Sequence, residues 1–247
     1  TGTRMLGGLR DLKWRYAVGE LFIVVIGILI AFSLDSWWEG RELAELEHRY
    51  LVSLKQDFEE NQAGLDRTIQ IQTAVQRSLR QLILSGATSA PTPGADSIMA
   101  LVTRVFRDTN VLFQPSKRTY QELLNTSNLQ VLRNDSLLTL LADFDIRLGS
   151  LGRVEAGGVD GWRMDVTEHL VTRLDLGALV PESMLGAGSA FEVLPSTVEY
   201  RSLPGDRVFR NIMVGRQAVT AVKLSMYRGL EGSVDEILRI LDLELGR

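Results

Sequence analysis

Residues 16–38, YAVGELFIVVIGILIAFSLDSWW, decide how the rest of the chain is read. Between Leu21 and Leu34 only Ser33 is polar. An apolar run of that length also suits a signal-peptide core or a buried helix. The flanks point elsewhere. Trp14 and Tyr16 precede the run, and Trp37 and Trp38 follow it, the spacing of two interfacial aromatic belts. From Trp14 to Trp37 a helix extends roughly 35 Å at about 1.5 Å per residue, enough for a hydrocarbon core and its edges. The stretch AFSLDSWW offers no small-residue cleavage site. The pattern therefore predicts a transmembrane helix over 16–38, between an N-terminal segment of residues 1–15 and a domain of residues 39–247.

The flanks also give an orientation. Arg4, Arg10, Lys13 and Arg15 precede the run, whereas Arg41 and Arg49 follow it among Glu39, Glu42, Glu45 and Glu47. Positive charge collects on the cytoplasmic side. Residues 1–15 are expected in the cytoplasm and residues 39–247 beyond the bilayer. In a Gram-negative cell that means an inner-membrane protein with a periplasmic domain.

Glu20 lies inside the near edge of the run. At about 100° per residue, Gly27, Ala31, Leu34 and Trp38 all fall within about 40° of it. Gly27 and Ala31 form a small-xxx-small pair that lets another helix backbone approach closely. One stripe thus carries a carboxylate, two small residues and a terminal Trp, while the opposite face is Ile, Val, Phe and Leu. The expected packing face is Glu20, Gly27, Ala31, Leu34 and Trp38, and the expected interfacial anchors are Trp14, Tyr16, Trp37 and Trp38. With no second ionisable group in the run, Glu20 is not read as a proton relay.

The 247 residues carry a net charge of −4, with no basic run and no aromatic platform among basic residues, so no nucleic-acid partner is expected. The absence of cysteine excludes disulfides, thiolate metal sites, c-type haem attachment and an acylated lipoprotein Cys.

Proline placement organises the remainder. All 6 prolines lie between positions 91 and 204, which leaves the flanking regions open to long helices. The first helix is expected to run unbroken to about residue 84. Its stripe of Leu51, Leu54, Phe58, Leu65, Val75, Leu79 and Leu82 is interrupted by Asn61, Thr68 and Gln72, which suits a bundle better than a two-stranded coiled coil. A breaker-rich loop spans 85–96. A short amphipathic helix follows, with Ile98, Leu101, Val102, Val105 and Phe106 on one face. Ser116 is expected to cap a helix containing Tyr120, Leu123 and Leu124. Asn134 or Asp135 is expected to cap another that carries Leu137, Leu138, Leu140, Leu141, Phe144 and Ile146 and reaches about Leu174, with a break or kink near 157–158. Residues 176–204 read as irregular, with a short extended piece in FEVLPSTVEYRSL. Asp206 is expected to cap a final helix over about 207–245, nicked at Gly229–Gly232. Its apolar positions include Val208, Ile212, Val219, Val222, Leu224, Ile237, Leu238, Ile240 and Leu241. The fold class is all-α: one transmembrane helix continuing into an extracytoplasmic bundle of about three long and two short helices.

No catalytic constellation emerges. Glu45-x-x-His48 and Asp165-x-x-x-His169 each place two metal-ligating side chains on one helix face. A di-metal carboxylate site needs a second Glu-x-x-His, and the chain has only 2 histidines. The glycine-rich runs match neither a P-loop nor a dinucleotide fingerprint, and GAGSAF is not a nucleophile elbow. Catalytic, cofactor and metal residues are all expected to be absent.

YAVGELFIVVIGILIAFSLDSWWE resembles the N-terminal signature of a widespread, uncharacterised family of bacterial single-pass membrane proteins. Its members open on a Gly-Glu pair, continue through Val-Val-Ile-Gly-Ile-Leu-Ile-Ala and reach a Trp. PSKRTYQELLNTSNLQVLRNDSLLTLLADFD is similar to that family's middle segment. The resemblance marks Gly19, Glu20, Gly27, Ala31, Trp37, Tyr120, Leu123, Asn134 and Leu137. Asp35–Ser36 stands where the family usually has Asn-Asn. The resemblance implies that the Glu20–Gly27 stripe is a pattern; the family lends no activity.

The expectation for function is a non-catalytic accessory subunit whose transmembrane helix docks on a larger inner-membrane protein complex in the lipid bilayer. Energy-converting assemblies, photosynthetic reaction-centre or light-harvesting complexes among them, are one such setting. The alternative is a periplasmic ligand-sensing bundle that signals through a partner membrane protein. Self-association through the 51–82 stripe is compatible with both.

Overall fold

A computed structural model describes residues 7–86, 94–174 and 200–246, with side chains from Glu20 onward and that of Trp14. Its helices are α1 (Gly7–Ser85), α2 (Ala95–Asp108), α3 (Arg118–Asn125), α4 (Asp135–Asp165) and α5 (Arg207–Leu245). A 3₁₀ turn, Asn128–Val131, joins α3 to α4, and a π turn, Val166–Leu170, extends α4. No strand occurs among the described residues. The fold is all-α, with three long and two short α-helices.

Two helix starts follow from local capping chemistry. The Asn134 side chain accepts the Leu137 N–H at 3.0 Å, and the Asp206 side chain accepts that of Phe209 at 2.8 Å. Both oxygens satisfy donors that a helix start leaves without partners.

Several expectations are corrected. Ser116 does not cap α3; its hydroxyl donates to Asp57 at 2.8 Å. Asp57, on α1, accepts the Thr119 N–H at 2.8 Å in its stead. Helix α4 runs through Gly157 and Gly158 without a break, and Gly158 lies directly against α5. A Cβ there would sit 3.1 Å from a Val219 methyl, and the Gly158 carbonyl accepts from Arg216 at 2.7 Å. Helix α5 is equally continuous through Gly229 and Gly232. Leu124, Ile146, Val208 and Val222 are exposed. Of the stretch expected to hold a short extended piece, the last four residues lie in a 3₁₀ turn, Tyr200–Gly205; its earlier part lies outside the described residues, as do 87–93 of the first loop.

Helix α5 packs along α1 over most of its length, α4 packs on α5, and α2 returns along α1. Apolar side chains form two separate cores. The near core joins Tyr50, Leu54, Phe58 and Leu65 of α1 to Leu137–Leu151 of α4 and Tyr227–Leu241 of α5. The far core joins Val75, Leu79 and Leu82 to α2, to Trp162 and to Phe209, Ile212 and Met213. Every residue of the 51–82 stripe is thus buried within one molecule, which removes that stripe as a surface for self-association.

A buried polar layer separates the two cores, and each long helix contributes at the same level: Thr68 and Gln72 from α1, Glu155 from α4, Arg216, Thr220 and Lys223 from α5. The strap of residues 109–117 between α2 and α3 is held within it. Gln72 donates to the Val111 carbonyl at 2.7 Å and the Asp108 carbonyl at 3.1 Å. Lys223 donates to the Thr109 carbonyl at 3.0 Å, and Arg216 donates to the Thr109 hydroxyl at 2.7 Å. Further along, Asn61 both accepts the Ser116 N–H at 2.7 Å and donates to its carbonyl at 2.9 Å. Two of the polar interruptions of the α1 stripe, Asn61 and Gln72, grip this strap, while Thr68 donates to the Gly64 carbonyl of its own helix at 2.8 Å.

Candidate functional site

Helix α1 contains a segment long and apolar enough to cross a membrane, and none of that segment is buried within the molecule. Glu20, Gly27, Ala31, Leu34 and Trp38 are all exposed, and a Cβ at Gly27 would meet nothing within 4 Å. Trp14, Trp37 and Trp38 are exposed as well; the Tyr16 side chain lies outside the described residues. Trp37 and Trp38 meet edge to face at 5.7 Å between ring centroids, and Arg41 lies over Trp37 at 5.9 Å. The Ser33 hydroxyl donates to the Leu29 carbonyl at 2.7 Å, so the one polar side chain between Leu21 and Leu34 is satisfied within its own helix.

The apolar segment is exposed all round, and the helix that carries it gives a reference for direction. Helix α1 passes from the apolar segment into the bundle without interruption, so azimuths can be carried along it. Relative to Trp38 and Glu20, the first buried bundle positions, Tyr50, Leu51, Leu54 and Phe58, lie at roughly 120–220°. The bundle therefore packs on the side of α1 opposite the Glu20–Gly27–Ala31–Trp38 stripe. That stripe continues upward as the outer face of α1, through Glu45, Arg49, Val52 and Gln56, all within about 40° of it and all exposed. A single uninterrupted surface thus runs from Glu20 past Trp38 and along the back of the bundle.

Leu46 is the first α1 side chain packed against the near core. Between Trp38 and Leu46, about 12 Å of helix has no tertiary support. Above this stalk the azimuth of α1 is locked. Asp57 accepts from Ser116, Arg118 and Thr119. Burial pushes its carboxyl up, but these donors outweigh burial and leave it below the usual carboxylate range. In the polar layer Arg216 donates to the Gly158 carbonyl and to Asn110 at 2.9 Å, and stacks on Trp162 at 4.9 Å. Burial lowers its guanidinium to about 10, so it stays charged at neutral pH. Burial, reinforced by Arg216, pushes the Lys223 ammonium down to about 8. The Tyr227 hydroxyl donates to Glu155; burial, and then that carboxylate, push the Tyr227 hydroxyl up.

The sequence reading missed Glu155, Arg216, Lys223 and Tyr227 as structural residues, although a signal existed. Phe209, Met213, Arg216, Thr220, Lys223 and Tyr227 follow one another at spacings of about three and four, the inward face of a helix. Charges on that face announce a buried polar layer. The histidine pairs are not brought to further ligands. Glu45 pairs with Arg41 at 3.3 Å, His169 lies 3.9 Å from Glu168, and no group of three metal-ligating side chains occurs among the described residues.

No family model, curated protein or solved structure matches the chain.

Proposed function

We propose that the protein is a non-catalytic accessory subunit of a larger membrane complex. The apolar segment of α1 spans the bilayer, residues 1–15 lie in the cytoplasm, and the helical head stands on the far side. The Glu20–Gly27–Ala31–Leu34–Trp38 stripe docks on the host complex within the bilayer, and the outer face of α1 meets it above. One observation carries this reading: the small-residue stripe and the bare back of the head share one side of a single uninterrupted helix. A host rising out of the membrane can touch both at once without deforming the subunit. The charge flanks support the orientation, and the resemblance of residues 16–39 to bacterial single-pass proteins supports an inner membrane and a periplasmic head. An energy-converting assembly, photosynthetic or otherwise, is the setting we propose.

Extraction in mild detergent tests the proposal. The chain is expected to co-purify in fixed stoichiometry with a multisubunit membrane complex. Gly27→Leu is expected to release it while the melting midpoint of the head stays unchanged, because Gly27 touches nothing in the chain itself. Recovery of wild-type protein as a monomer surrounded only by lipid would overturn the reading. A head that resists protease added outside intact spheroplasts would overturn the orientation.

A further inference from the structure

The inner side of α5 carries a row of polar side chains at three-residue spacing: Gln217, Thr220 and Lys223. Residues three apart on a helix have Cβ atoms about 5–6 Å from one another, so these groups follow one another along the helix. Thr220 is 0% exposed and Lys223 2%. The Gln217 Oε1 and the Thr220 hydroxyl are buried and have no hydrogen-bond partner among the described residues. The Lys223 ammonium has three N–H donors, and one of them meets the Thr109 carbonyl at 3.0 Å. Gln72 reaches the same carbonyl from α1, at 3.5 Å. Its Nε2 also donates to the Asp108 and Val111 carbonyls, which fixes the amide and leaves its Oε1 buried without a partner.

The Thr220 hydroxyl has a local alternative that it does not take. Thr68 and Thr139 each donate to the carbonyl four residues earlier in their own helix, at 2.8 and 2.9 Å. Thr220 makes no such bond to Arg216. Buried polar atoms in folded proteins nearly all have a partner, either protein or ordered water. The chemistry of the four groups narrows the choice. Two amide oxygens disfavour an anion. The ammonium, with Arg216 beside it in the same layer, disfavours a cation. A neutral ligand that both donates and accepts satisfies all four. The burial of Gln72, Thr220 and Lys223 suits a small one.

We propose that this row is a binding site for ordered water: Lys223 donates to it, the Thr220 hydroxyl bonds it, and the Gln217 and Gln72 oxygens accept from it. The isosteric variant Thr220→Val, made in the full chain in detergent, is the first test. Loss of one hydrogen bond is expected to lower the melting midpoint by about 2–4 °C. A hydroxyl with no partner gives the opposite sign, because its removal relieves an unsatisfied group; an unchanged or raised midpoint would overturn the proposal. Exchange of chloride for acetate at constant ionic strength is expected to leave the wild-type midpoint where it is. A chloride-dependent rise that Thr220→Val abolishes would overturn water in favour of an anion. A high-resolution crystal structure of the full chain is expected to show solvent density at hydrogen-bond distance from Thr220 Oγ1. A Thr220 hydroxyl resting on the Arg216 carbonyl, with no density beside it, would overturn the site even if the variant melts lower. None of these measurements involves a host complex, so their outcome is independent of the co-purification experiment.

Discussion

Asp57 lies on α1 yet caps α3, which begins about 60 residues later in the chain. Its two oxygens take the Thr119 N–H, the Ser116 hydroxyl and the Arg118 guanidinium, and it is 3% exposed. Asp57→Ala strands a buried N–H and a hydroxyl, and is expected to cost about 2–3 kcal/mol in urea unfolding of the full chain. The carboxyl is held below its unfolded value, so its contribution is complete above about pH 4 and fades as pH falls through the folded value. The variant should lose stability less steeply on acidification. Gly158 and Gly157 make a sharper pair. Gly158→Val drives a side chain into Val219 and Arg216 and is expected to cost about 2–3 kcal/mol. Gly157, with nothing within 4 Å of its would-be Cβ, sits in an exposed helix interior, and Gly157→Ala should stabilise by about 0.5–1 kcal/mol. Opposite signs at adjacent glycines in thermal melts would show that contact with α5, and not helix propensity, decides the first site.

At the scale of the element, α1 is both the apolar segment and a wall of the head, joined by a two-turn stalk without tertiary support. Leu43→Pro in that stalk removes a helix hydrogen bond and kinks the rod, but no core residue depends on it. The melting midpoint of the head is expected to move by less than about 2 °C, on the scale of a surface change. Spin labels at Ser33→Cys and Gln56→Cys should then give a broadened distance distribution; the chain has no cysteine to interfere. A narrow distribution would mean that the stalk is braced by something other than its own helix. How far such elements could be read from sequence depends on the range of the forces that make them. The long α1, its end near residue 84, and the caps at Asn134 and Asp206 were legible, because proline absence, apolar period and cap chemistry act within a few residues. The α3 cap was not, since its acceptor comes from another helix. Nor was the unbroken α4, where glycines that weaken an isolated helix permit a close crossing. The stripe on the apolar segment was legible, but its alignment with the back of the head was not, because periodicity gives a helix an inside without saying which neighbour covers it.

The whole molecule is two apolar cores held in register by a polar layer, and that layer makes the most distinctive expectation. Two cations, Arg216 and Lys223, share it with one carboxylate, Glu155, which is hydrogen-bonded to Tyr227. Desolvation of the cations opposes folding. Lys223 titrates at about 8 in the folded chain against 10.5 in its ordinary state, so between these values the unfolded chain binds the extra proton. Stability must then rise with pH, by at most about 1.4 kcal/mol per pH unit. Tyr227 acts in the opposite sense: its hydroxyl is pushed up from 10.0, so above about pH 10 the folded chain keeps a proton that the unfolded chain loses, and stability falls. Arg216, lowered to about 10 from 12.5, works against that fall, so the rise should end near pH 10 and stability level off above it. Lys223→Met replaces the ammonium with an apolar chain of similar length, and it is expected to be neutral or stabilising at pH 7. It should also flatten the rise between pH 8 and 10. Denaturant titrations of both proteins across pH 6–11 decide it. An unchanged slope in the variant would place the titrating group elsewhere, and a loss of several kcal/mol at pH 7 would make the Lys223–Thr109 bond a net support of the strap.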